Sequence, residues 1–82
     1  MKYIIYGTNR VAKDFLYIFD NMEILYFTES RPSHAHFLGY PVHDLNYALQ
    51  DTAYDQIILC DFDKTEKRAL LEQQNLSYGK DF

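Results

Sequence analysis

Lys2-Tyr3-Ile4-Ile5-Tyr6-Gly7-Thr8-Asn9, followed by residues 10–20 (RVAKDFLYIFD), joins a strand to a helix through a glycine turn. The first five residues form an apolar run rich in β-formers, which suits a strand covered on both faces, as in a parallel sheet. Gly7 breaks the run, and Thr8 or Asn9 supplies a side-chain oxygen to cap the next element. Val11, Phe15 and Ile18 then recur at i, i+4 and i+7, and Ala12, Leu16 and Phe19 repeat that spacing beside them. This wide apolar stripe predicts a helix lying on a sheet.

Outward from this unit, Glu23-Ile24-Leu25-Tyr26-Phe27 predicts a second buried strand. Residues 28–37 (TESRPSHAHF) have turn chemistry and no period, so they predict a loop. Gly39-Tyr40-Pro41-Val42 predicts a short strand at the sheet margin, because proline cannot donate to a central ladder. Residues 44–49 predict a short helix through Leu45, Ala48 and Leu49, and Gln56-Ile57-Ile58-Leu59-Cys60 a third apolar strand. Asp63-Lys64-Thr65-Glu66 has capping-box spacing and predicts a helix to about residue 74, after which the chain turns at Gly79 and begins at most one more strand.

This alternation predicts an α/β fold: a small, mostly parallel sheet of four to five strands with about three helices, in one domain over residues 1–82. Right-handed crossovers place the 23–27 and 56–60 strands on opposite sides of the first. Such a Rossmann-like three-layer domain holds ligands beyond the carboxyl ends of its strands, where the strand order reverses. The loops concerned are 7–10, 28–31 and 60–64.

Composition narrows the partners. The chain is 48% hydrophobic and 17% aromatic, which supports a globular core, and it carries twelve acidic against eight basic residues. Nucleic-acid affinity needs clustered Lys and Arg, and here Lys64, Lys67 and Arg68 sit among Asp61, Asp63 and Glu66, so nucleic acid is not an expected partner. A single cysteine, Cys60, cannot form an internal disulfide, consistent with a cytoplasmic location. Neither a signal peptide nor a membrane span is expected.

Unpaired amides at a helix start attract anions, so the Gly7 turn is the natural phosphate site. Gly7 fits the first glycine of a dinucleotide fingerprint and Ala12 its third small residue, but Asn9 stands where the second glycine belongs. Glu29, at the end of the second strand, is placed to hold a ribose hydroxyl, and Arg10 to assist an anion. The candidate ligand-binding residues are therefore Gly7, Thr8, Asn9, Arg10, Glu29 and Asp61; no residue is assigned as catalytic or metal-binding, and no cofactor is identified. An anionic guest here requires the Asn9 side chain to stay clear of the recess. The bland alternative is a tight strand-to-helix turn.

Three further clusters carry simpler readings. Asp61-Phe62-Asp63-Lys64-Thr65 after an apolar strand looks like the first motif of haloacid-dehalogenase-type phosphatases, which would make Asp61 the nucleophile and Asp63 the acid/base. Too few residues come after it to supply that family's later motifs, and Asp63 has a sufficient role as a helix cap. His34, His36 and His43 read as surface histidines, and Cys60 as a structural thiol.

The order YIIYGTNRVAKDFL, EILYFTES, FLGYPVHDL, YDQIILC resembles the Rossmann-like N-terminal domains of bacterial sugar-nucleotide acyltransferases. Similar domains are appended to radical S-adenosylmethionine peptide maturases and sugar methyltransferases. The resemblance implies nucleotide-sugar contacts at Gly7, Thr8, Asn9 and Glu29, with Asn9 departing from the pattern. It also implies a non-catalytic accessory domain, the N-terminal part of a longer modifying enzyme. The partners expected are a nucleotide-type small molecule and either a downstream catalytic domain or a second copy. The alternative is a protein-interaction or dimerisation module without a small-molecule ligand.

Overall fold

A computed structural model describes residues 1–61, 63–73 and 76. Its elements are β1 (Lys2–Tyr6), α1 (Arg10–Ile18), β2 (Glu23–Glu29), β3 (His36–Phe37), β4 (Tyr40–Asp44), α2 (Leu45–Gln50), β5 (Gln56–Leu59) and α3 (Thr65–Gln73). The five strands form one sheet in the order β3-β4-β2-β1-β5. β1 pairs in parallel with β2 and β5, and β2 with β4; among the described residues only β3 and β4 are antiparallel. The mixed α/β, mostly parallel reading therefore holds, and β2 and β5 flank β1 as expected.

The core forms two clusters, consistent with the apolar runs of the central strands. One joins Ile4, Tyr6, Tyr26 and Ile57 to Leu45 and Ala48 of α2 and Leu71 of α3. The other joins Ile5, Ile24, Phe27 and Cys60 to Ala12 of α1, backed by Val11, Phe15 and Leu16. Each fully buried large apolar side chain contributes roughly 1.5–3 kcal/mol. Strict alternation along β2 is broken, because the partner of β1 shifts from Ile24 at Tyr3 to Tyr26 at Ile4. Leu25 is the extra residue of this bulge, so Leu25 and Tyr26 join the first cluster while Ile24 and Phe27 join the second.

The loop expected over residues 28–37 is shorter than the sequence suggests. β2 runs on to Glu29, and His36–Phe37 pairs with Tyr40 and Pro41. Leu38 (φ 52°) and Gly39 (φ 84°) make the reversal. Two successive positive φ values between paired residues mark the primed two-residue hairpin turn, whose first position favours Asn or Asp. A leucine there costs about 1 kcal/mol. β4 lies one strand in from the edge; the Val42 amide donates toward β3, to the Ala35 carbonyl, so the Pro41 nitrogen faces β2, whose pairing with β4 begins only at Val42. α3 starts at Thr65, and Asp63 Oδ1 accepts a 2.9 Å hydrogen bond from the Thr65 amide, which lowers the Asp63 pKa. The turn at Gly79 and the strand start expected near the end lie outside the described residues. No helix among the described residues is long and apolar enough to cross a membrane.

Candidate functional site

β1, β2 and β5 end together, and the chain is drawn tight there. The Gly7 amide donates to the Thr28 carbonyl at 3.1 Å and the Cys60 amide to the Tyr6 carbonyl at 3.0 Å, extending both ladders past Tyr6. Gly7 has φ 142°, and a Cβ on it would lie 2.0 Å from the Cys60 carbonyl oxygen. Glycine is thus required both by its dihedral and by the approach of a second strand end.

Asn9 caps α1: its Oδ1 accepts from the Ala12 amide at 3.1 Å. Its Nδ2 donates to the Cys60 carbonyl at 2.9 Å. The side chain therefore spans the recess in which an anion was expected, and it engages the Ala12 amide that an anion would use. Thr8 turns away toward β2, where its hydroxyl donates to Glu29 Oε2 at 3.1 Å. Arg10 is also displaced from the turn; it is exposed and lies 3.8 Å from Asp14 along the helix. The structure closes the glycine turn with the chain's own groups.

A separate recess of about 600 Å³ opens beside it, toward α3, lined by Glu29, Ser30, Arg31, Asp61, Glu66 and Lys67 among others. Lys67 reaches back from α3 into its floor. Its Nζ lies 2.7 Å from Glu29 Oε1 and 3.4 Å from Asp61 Oδ2, with only 12% of the side chain exposed. The ammonium also stands 4.7 Å from the centre of the Tyr6 ring, a cation–π contact. Tyr6 is fully buried, and its hydroxyl shares a 2.7 Å hydrogen bond with Ser30; burial raises its pKa. Asp63 and Glu66 line the recess too, so that among the described residues four carboxylates stand against the cations Arg31 and Lys67.

Three of the six predicted site residues are thus brought together, Thr8 by its hydrogen bond to Glu29 and Asp61 through the Lys67 that it shares with Glu29, although 31 residues lie between Glu29 and Asp61. Sequence reasoning missed Lys67, Tyr6 and Ser30. Lys67 was visible only as a lysine among acids, and its first partner, Glu29, lies 38 positions away. Cys60 is buried, and loss of solvation pushes its thiol up to about 11, which removes it as a nucleophile near neutral pH. His43 stacks on Tyr47 with ring centres 4.0 Å apart, while His34 and His36 are exposed. A scan against family models finds no match to the chain, and a search of curated proteins also returns none.

Proposed function

We propose that this chain is a Rossmann-like, three-layer accessory domain of a larger modifying enzyme, without catalytic machinery of its own. We further propose that it binds the hydroxyl-bearing part of a nucleotide-type ligand in the recess beside α3. The observation that carries the reading is the sharing of one ammonium by Glu29 and Asp61, from the ends of two different strands, at the floor of that recess. Recesses of this kind, at the point where strand order reverses on either side of β1, are the usual ligand positions of open parallel sheets.

The chemistry favours hydroxyls over phosphate. Each fixed carboxylate accepts hydrogen bonds from a ribose or hexose diol, while an excess of carboxylates over cations repels an anion. A bound nucleotide would then place its sugar against Glu29 and Asp61 and its phosphates outward. The occupied glycine turn supports the same orientation.

A thermal-shift series with uridine, uridine sugars, nicotinamide cofactors and S-adenosylmethionine tests this. A nucleoside or nucleotide sugar is expected to raise the midpoint, with about 2.7 kcal/mol of stabilisation at a hundred times its Kd. Inorganic phosphate alone is expected to leave it unchanged. Asp61→Asn, checked for fold by circular dichroism, should weaken the response. No shift from any of these compounds at millimolar concentration would falsify the proposal. The interaction-module reading has its own observation, an apolar surface at the far end of α1.

A further inference from the structure

The apolar stripe of α1 is longer than the surface that covers it. Ala12 is fully buried, yet Ile18 is 69% exposed, Phe19 48% and the neighbouring Tyr17 87%. Across from Tyr17 and Phe19 stands Leu38, 45% exposed at the tip of the β3–β4 hairpin. Between the two runs an open groove of about 380 Å³, floored by Leu16, Met22, Ile24 and Tyr40. Exposed apolar side chains gathered round a groove with a charged rim are the arrangement that interaction sites use.

Leu38 sharpens the point. Its φ of 52° is a conformation that asparagine adopts more readily, in a turn that favours asparagine at that position. The chain therefore holds a strained leucine where its side chain contributes little to the core. A local rule broken without gain in folding points to a role in recognition.

We propose that this surface is the interface for a second copy of the chain, packed about a two-fold axis. The surface both projects apolar groups, Phe19 and Leu38, and offers a groove to receive them, as a self-complementary contact requires. Its rim carries both charge signs along one edge, with Lys13 on α1 and Asp20 two turns further on, the order that a two-fold axis across antiparallel copies of α1 inverts. Lys13 of each copy can therefore face Asp20 of the other, whereas a partner of one charge sign would meet repulsion on part of the rim. This proposal stands on a different face from the ligand recess and does not depend on it.

Sedimentation velocity and light scattering on the 82-residue chain test it. The mass is expected to rise with concentration from 9.8 kDa toward twice that value. Phe19→Asp should hold the chain monomeric with an unchanged circular dichroism spectrum. Leu38→Asn should weaken the dimer by about tenfold or more while raising the thermal midpoint measured at dilution, where both chains are monomeric, an opposition that a purely structural role for Leu38 does not produce. Lys13→Glu and Asp20→Lys should each impair self-association, and mixing the two variants should restore it. A chain that stays monomeric up to millimolar concentration overturns the proposal. So does a dimer that survives Phe19→Asp and Leu38→Asn, which would place the contact elsewhere, such as the β5 edge.

Discussion

The two ends of α1 are finished in opposite ways. At the N-terminal end Asn9 uses both atoms of its amide within the chain, one on Ala12 and one on Cys60, and Gly7 leaves no room for a side chain. At the C-terminal end the helix stops with Ile18 mostly in water and Phe19 half-exposed against the Phe15 ring. A single amphipathic helix thus has a polar end that is satisfied internally and an apolar end that is not. The contrast sets a turn whose polar groups are already paired within the chain against a helix tail that keeps apolar groups exposed.

Substitutions at the two ends should differ sharply. Gly7→Ala forces a methyl group into the Cys60 carbonyl at an unfavourable φ, and should cost about 4 kcal/mol or more, measured by urea unfolding. A loss under about 1 kcal/mol would mean the strand ends part easily, and the closed description of this end would fail.

Cys60 reports on the same end through its proton. Burial holds the folded thiol protonated up to about 11, against an ordinary value of 9.0. The unfolded chain loses that proton first, so stability present below pH 9 should fall as pH rises toward 11, by about 2 kcal/mol in total. At pH 8 the folded thiolate fraction is about a hundredfold below that of the unfolded chain. Alkylation of Cys60 in the native protein should be slower by at least that factor, and rapid labelling would contradict the closed turn.

Asn9→Ala removes the cap and should cost roughly 1 kcal/mol. Asn9→Gly is more informative, because it clears the recess while sparing the backbone. Pyrophosphate should then raise the thermal midpoint of the variant and leave the native chain unmoved; equal responses would show that the side chain never blocked the site. At the other end, Ile18→Lys should change stability by no more than about 0.5 kcal/mol, since the side chain is already mostly in water. A cost of about 2 kcal/mol in the monomer would mean this end is packed after all.

Much of the fold was legible because its signals are local. The runs at residues 2–6, 23–27 and 56–60 are apolar enough to demand cover on both faces, and the 10–20 periodicity allows only a helix. The β3–β4 hairpin was not legible, since Leu38-Gly39 lacks the Asn-Gly signature and β3 has only two residues. Nor was the bulge at Leu25, which leaves no mark in an apolar run but sends two adjacent residues to one cluster. Of the candidate site, Glu29 and Asp61 were found from their positions at strand ends. Lys67 escaped because its meaning depends on which carboxylates the sheet sets beside it.

Residue order alone determined where the long strands and the helices form, because backbone propensity and apolar spacing act within about ten neighbours. Whether Asn9 opens or fills its turn, which acids gather round Lys67, and how much of α1 stays uncovered were settled only by the assembled sheet. Those outcomes depend on distances between segments far apart in the chain. A side chain's partners come from whatever surfaces the fold brings within hydrogen-bonding or packing range.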